Sequence, residues 1–440
     1  MAEHSPYVPF DPAVHLYDAI LRDFLIPWEY RGWRAEQLSW KQTAYIHGNL
    51  NPSPWTRISG PDAAKFLESV SVNSFARYPI GTGKHLILCN EDGHVMSHGV
   101  LLRTGEEEFE GQWLAPYLDY LLDRTDLDLT WESTTGQTAL FQIAGPRSFD
   151  ILAAATGEDL SDIRFMWFRD SSINGIPVRV LRMGMGGALA YEVHAAAEHA
   201  HAIYQAIVDA GEPFGIERLG TYAYLMNHSE NGFPQSFYHF PLAWDTEPGF
   251  TEWLRGRSMG TKKPMNHASW RGSIGDDIQA RYRNPIELGW GTTVRFDHDF
   301  PGRAALEREA AQPRRRIVTL EWSTDDIMDI HRSQYEPGEP YMPIDEPNHV
   351  TRQYGGLVQY ADRVEQDGKV VGISSGRCYT YYYRRMISIA SIDASIADGE
   401  EVVVIWGDPG TRQKEIRATV TRYPYLDLPR NAEVDVAAKA

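Results

Sequence analysis

The chain has 440 residues, with 42 Lys and Arg against 60 Asp and Glu and a formal net charge of -18. So acidic a balance argues against a nucleic-acid partner, because a phosphate-binding surface needs clustered cations. Length allows two to four domains at roughly 150 residues each, and 42% hydrophobic with 12% aromatic residues marks a packed globular protein and not a disordered one. The only cysteines, Cys89 and Cys378, exclude a disulfide framework and a four-thiolate zinc site, so a cytoplasmic setting is expected.

Met1 to Phe10 lacks the basic-then-apolar pattern of a signal peptide, and no apolar run reaches about 18 residues, so neither secretion nor membrane spanning is expected. Asp11-Pro12, a cap followed by a first-turn proline, predicts a helix through Leu25. Trp55 to Leu67 (WTRISGPDAAKFL) and Leu140 to Leu152 (LFQIAGPRSFDIL) share one plan: a strand ending in Ile, a Gly-Pro break, then a helix. The pair reads as a duplicated strand-turn-helix unit, although such units also recur by chance in α+β folds.

Between the copies, His85 to Cys89 and Val95 to Leu102 flank Asn90-Glu91-Asp92-Gly93 and predict a hairpin. Gly81-Thr82-Gly83-Lys84 lacks the full spacing of a phosphate loop and reads as a turn. Ile176 to Met183 and Leu189 to Val193 repeat the hairpin pattern around Gly184-Met185-Gly186-Gly187, and Glu198 to Ala210 has helical spacing. Paired strands followed by helices favour α+β over a parallel doubly wound sheet. Beyond Arg314-Arg315-Arg316 short β runs dominate (Ile317 to Trp322, Val370 to Ser374, Met386 to Ile392, Glu401 to Trp406, Ile416 to Thr421), predicting a separate β-barrel or sandwich from a boundary near residue 315.

His194, His199 and His201 lack metal-ligand spacing, so no metal is expected. Glu192, between Tyr191 and Val193, either faces solvent on an alternating strand or points into a cleft. Tyr222 to Trp244 (YAYLMNHSENGFPQSFYHFPLAW) sets seven aromatics beside Asn227, His228 and Glu230, a composition that suits either a pocket for a planar ligand or a tyrosine-rich core loop.

Taken in order, Ile58 to Leu67 (ISGPDAAKFL), His85 to Gly93 (HLILCNEDG), Ile143 to Pro146, Tyr191-Glu192-Val193, Asn284 to Ala304 (NPIELGWGTTVRFDHDFPGRA) and Gly368 to Gly376 (GKVVGISSG) resemble the aminomethyltransferase family, that of the glycine-cleavage T-protein. Asn284 to Ala304 and the tyrosine-rich segment are most similar to its tetrahydrofolate-dependent aryl O-demethylases acting on vanillate and syringate, and the chain is compatible also with relatives that open a methylenedioxy ring, as the sesamin-degrading enzyme does.

The resemblance implies a cloverleaf: two interleaved α+β subdomains over residues 1–315 and a C-terminal β-barrel over 316–440, around a folate channel. It implies transfer of a methyl or methylene unit from an aromatic ether to tetrahydrofolate. By the same carry-over, Glu192 grips the pterin, and Tyr222, Glu230 and Trp290 lie near the cofactor. Tyr224 is the catalytic phenol, with His228 and His98 as supporting donors, and Trp113, Leu114, Phe237 and Tyr238 meet the substrate.

Three departures stand out. Ser97-His98 replaces the aspartate of the glycine-cleavage enzyme, Asn51-Pro52-Ser53 occupies the stretch where O-demethylases have a histidine, and Leu114 aligns with the arginine that pairs with a benzoate. The last points to a neutral aromatic substrate, since burying an unpaired carboxylate is costly. An amine N-demethylase or aminomethyltransferase, or a non-catalytic folate-binding protein, are the alternatives. An anionic folate tail would need cations such as Arg281, Arg283, Arg384 or Arg385 to offset the acidic surface.

Overall fold

The computed structural model describes residues 3–19, 23–184, 187–255, 257, 269–345, 347–348, 350–353 and 356–439. Two antiparallel-rich sheets and a barrel carry the chain. In the first sheet the strands lie in the order Thr82–Cys89, Val95–Arg103, Glu108–Gln112, Trp55–Ser59, Thr130–Ser133. The second sheet runs Phe168–Ile173, Ile176–Leu181, Ala190–Ala196, Thr138–Ala144, Ala44–His47, Ile216–Arg218, with only the last pair parallel. Both sheets therefore consist of a hairpin, a third strand and the strand that precedes a Gly-Pro break.

The repeat is visible in backbone detail. Gly60 and Gly145 both have φ +132°, and a Cβ on either would come within 2.8 Å (Asp128 O) or 2.6 Å (Thr43 O) of a neighbouring backbone. Each turn then starts a helix, Ala63–Ser69 or Ser148–Thr156. Only glycine fits this tight approach at positive φ. The strand beyond each Gly-Pro strand is exchanged. Ala44–His47, upstream of Trp55–Ser59, pairs with Thr138–Ala144, whereas Thr130–Ser133, upstream of Thr138–Ala144, pairs with Trp55–Ser59.

The barrel joins Gly356–Gln366, Lys369–Thr380, Arg385–Asp393, Arg315–Trp322, Lys414–Thr421 and Glu401–Trp406, and closes by pairing the last with the first. Ser269–Arg271, upstream of residue 315, adds a short parallel strand beside Gly356–Gln366. Each of the two sheets and the barrel has its own apolar core. A further cluster, including Trp40, Tyr45, Trp55, Leu102, Leu140 and Tyr224, fills the space between the sheets.

The helix Thr221–Asn231 is buried along its whole length, from a Gly220 start to Gly232 at φ +66°. Among the described residues, no helix is long and apolar enough to cross a membrane and no group of His, Cys, Asp and Glu could hold a metal ion.

The helix expected from Asp11 to Leu25 does not form in its described part. Asp11 Oδ1 caps a turn by accepting from Ala13 N, and Leu16–Asp18 pairs antiparallel with Ile26–Glu29. Strand pairing outweighs the local cap, as tertiary context does for marginal helices. Met185 and Gly186 of the second predicted turn lie outside the described residues. The barrel contains a strand, Gly356–Gln366, and a helix, Thr324–Ser333, that the β-run pattern did not reveal.

Candidate functional site

A cavity with about 1190 Å³ of empty space, part of it open to solvent, lies between the sheets under the Thr221–Asn231 helix and the 233–244 loop. Its polar floor comes from strand register. His47 stands opposite Gln142, and Gln142 opposite Glu192, so three adjacent strands place an imidazole, an amide and a carboxylate in one row. Directly opposed residues project from the same face of a sheet, and all three line the cavity.

Glu192 is 1% exposed. Gln142 Nε2 donates to Oε1 at 3.0 Å, and His194 Nε2 donates to Oε2 at 3.1 Å. A carboxylate offers about four lone-pair sites, so two remain for a ligand that presents N–H groups.

Tyr224 packs face to face on His47, with ring centroids 4.1 Å apart and planes 6° apart. Its hydroxyl is buried without a hydrogen-bond partner. Burial first, then the charges of Tyr45 and Glu192, push the phenol well above its ordinary value, while the amide of Gln142 beside it acts in the opposite sense. The hydroxyl thus keeps its proton at neutral pH.

Two imidazoles near it, His228 and His98, are neutral. Burial pushes His228 down to about 3, and its Nδ1–H is committed to Phe233 O at 3.2 Å. His98 is also held well below its ordinary value by burial. Its Nε2 accepts from Ser236 N at 3.4 Å, which leaves the proton on Nδ1, 3.2 Å from His85 Nε2. Neither ring therefore has a spare N–H for the cavity, and the donor roles expected of His228 and His98 find no support in their hydrogen bonds. His98 lines the cavity, whereas His228 stands behind Tyr224, edge-on at 4.8 Å.

Trp113, Phe237 and Tyr238 line the cavity as expected of substrate-facing residues, joined by Trp244 and Leu242. Trp113 (φ 62°) and Phe237 (φ 69°) hold left-handed backbone, which costs a non-glycine residue on the order of 1 kcal/mol or more. Among the described residues, none that lines the cavity is Lys or Arg.

Four expected site residues lie elsewhere. Leu114 is fully buried in the first sheet's core, and its carbonyl accepts from Ser97 Oγ, so its neighbours Trp113 and Ala115 form the wall instead. Trp290 packs behind the cavity against His85 and His98, with centroids at 4.8 Å in both cases. Tyr222 stacks on Trp28 on the barrel side of its helix. Glu230 forms a buried ion pair with Lys41 and accepts from Trp40 Nε1 at 3.0 Å. At about 100° per residue, Tyr224 and His228 share a helix face while Tyr222 and Glu230 turn away from it.

His47, Gln142 and His194 were not anticipated. His47 supplies an imidazole from the first part of the chain, four residues before Asn51. The arginines proposed to balance a folate tail are also engaged elsewhere: Arg281 and Arg283 donate to backbone carbonyls, Arg385 pairs with Glu321, and Arg384 lies over Tyr381.

Residues 23–237 match the family model described as the GCVT N-terminal domain. The chain is 46% identical to a sesamin methylene transferase of Sinomonas sp. over 94% of its length and 93% of the relative's. It is 29% identical to a syringate O-demethylase of Sphingobium sp., covering 93% and 92%. The crystal structure of glycine cleavage system aminomethyltransferase T from Bartonella henselae superposes with a TM-score of 0.67 at 17% identity, covering 95% of this chain and 96% of that one, a likeness of fold.

Proposed function

The chain belongs to the aminomethyltransferase (glycine-cleavage T-protein) family, and on that premise we propose that it transfers a one-carbon unit, O-methyl or methylenedioxy methylene, from an aromatic ether to tetrahydrofolate, releasing a phenol or catechol. The observation that carries this reading is a buried carboxylate and an unpartnered buried phenol in one aromatic-walled cavity. The relatives named above, one acting on sesamin and one on syringate, support the same substrate class. In this reading residues 1–315 bind folate and 316–440 form the barrel domain.

The residues present fit the cofactor. Glu192 has lone pairs left for the 2-amino and ring N–H groups of a pterin, and the amide oxygens of Gln112 and Gln235 are lining acceptors without partners. When bound, tetrahydrofolate supplies the nucleophilic nitrogen. The protein's part is to orient that nitrogen against the ether carbon and to exclude water, an effect worth about 7 kcal/mol in favourable cases.

Tyr224 donates a hydrogen bond to the leaving oxygen. With its pKa held above that of an ordinary phenol, it stabilises the developing phenolate without surrendering its proton for good. For methyl transfer the overall proton count balances, since the nitrogen loses the proton that the phenol gains. The lack of cations among the described lining residues favours a neutral arene, because a substrate carboxylate would be buried without a partner among them.

Incubation of the protein with tetrahydrofolate and a panel of methoxy- and methylenedioxy-arenes tests the reading. Folate-dependent release of phenol or catechol is expected, with neutral arenes favoured over benzoates. No such product across the panel refutes it.

A further inference from the structure

We propose that His194 is a positioning residue that holds the Glu192 carboxylate in the orientation that receives the pterin; the inference rests on the folate reading above. Strand Ala190–Ala196 places Glu192 and His194 two residues apart and hence on one face. His194 Nε2 lies 3.1 Å from Oε2, while Gln142, across the sheet, takes Oε1. Each oxygen is thereby held by one protein donor. A carboxylate gripped at both oxygens has lost its rotational freedom about the terminal bond before a ligand arrives.

The rest of the imidazole makes no competing bond. Its Nδ1 is buried without a partner, and the ring is 4% exposed with Trp55 edge-on at 5.2 Å. Burying a polar nitrogen unpaired costs free energy, and the hydrogen bond to Glu192 is the contact that offsets it. Glu192 thus sits between two donors with distinct roles: Gln142 is on the cavity wall beside Tyr224, whereas His194 acts from behind the wall.

Tetrahydrofolate binding, read from the quenching of tryptophan fluorescence, tests the proposal without turnover. His194→Leu, which keeps bulk and removes the donor, is expected to weaken binding roughly tenfold, as for a lost hydrogen bond to a charged group. His194→Gln, which restores an N–H, should stay within about threefold of the parent. In a Glu192→Gln background, His194→Leu should have little further effect. An equal loss in both backgrounds, or a loss in His194→Gln matching that in His194→Leu, overturns the positioning role while leaving the folate site standing. If Glu192→Gln alone binds as the parent does, the pterin contact itself is wrong, and the inference goes with it.

Discussion

The ion pair between Lys41 and Glu230 separates a structural role for Glu230 from the cofactor role its place in the sequence suggests. Lys41 is 2% and Glu230 0% exposed at the side chain. The ammonium also donates to Gln37 O at 3.0 Å, and burial lowers its pKa more than the neighbouring carboxylate restores it. Lys41→Met leaves Glu230 with the Trp40 indole as its remaining side-chain donor and one oxygen already unpartnered.

Breaking a buried pair from one side costs about 3–5 kcal/mol. At roughly 2–4 °C per kcal/mol for a domain of 150–250 residues, the melting temperature should fall by about 6–20 °C. Lys41→Met/Glu230→Gln should recover a large part of that loss, because no bare charge remains buried. Scanning calorimetry of the single and double variants, with folate titration of each, gives both readouts. The expected pattern is a large stability change with folate affinity preserved in the double variant. A Glu230→Gln protein of normal stability that binds folate tenfold more weakly would refute the structural assignment and return Glu230 to the cofactor.

Three further outcomes are expected. Tyr224→Phe should lower turnover by about 10²-fold or more, as removal of a hydrogen-bond donor to a developing oxyanion does, with folate affinity nearly unchanged; an unaffected rate would remove the donor role. His228, held near 3 by burial, should show a neutral ring in histidine-labelled NMR spectra from pH 7.5 down to 5, with its resonance assigned through His228→Gln. Because its folded pKa lies below the unfolded value, its share of stability is present above about pH 6.5 and is lost as pH falls toward 3; a midpoint near 6.5 in the native protein would contradict this. Gly145→Ala should destabilise by about 1–3 kcal/mol, since the added Cβ must clear Thr43 O at 2.6 Å with φ at +132°; a melting temperature equal to the parent's would argue against the strained turn.

The two Gly-Pro turns were legible because their chemistry is local: glycine at positive φ and proline just ahead of a helix cap leave a mark in one short stretch of chain. The barrel strands were legible through their turns. The Asp11-Pro12 helix was misread because a cap signal carries no information about the strand Ile26–Glu29 that competes for the segment.

Glu192 could be read from its pattern as exposed or cleft-facing; the strand is buried on both faces because core lies on one side and the cavity on the other. His47 and Gln142 left no signal at all. Their partnership depends on register across strands separated by about a hundred residues of chain, which no local window contains. Leu114 and Glu230 do not line the cavity for a different reason: chain adjacency to a lining residue says little about direction, and a single step along the wall or six along a helix turns a side chain away.

The exchange of strands between the two sheets has a bearing on how such a protein can be cut, copied or assembled. Ala44–His47 and Thr130–Ser133 each complete a sheet built mainly from the other half of the repeat, so a fragment ending anywhere between them would expose an open β edge and forfeit His47 or its partner row. Neither half is a portable module. The polar floor of the cavity comes into being only when both have been synthesised and closed on one another, which ties formation of the candidate site to completion of the fold.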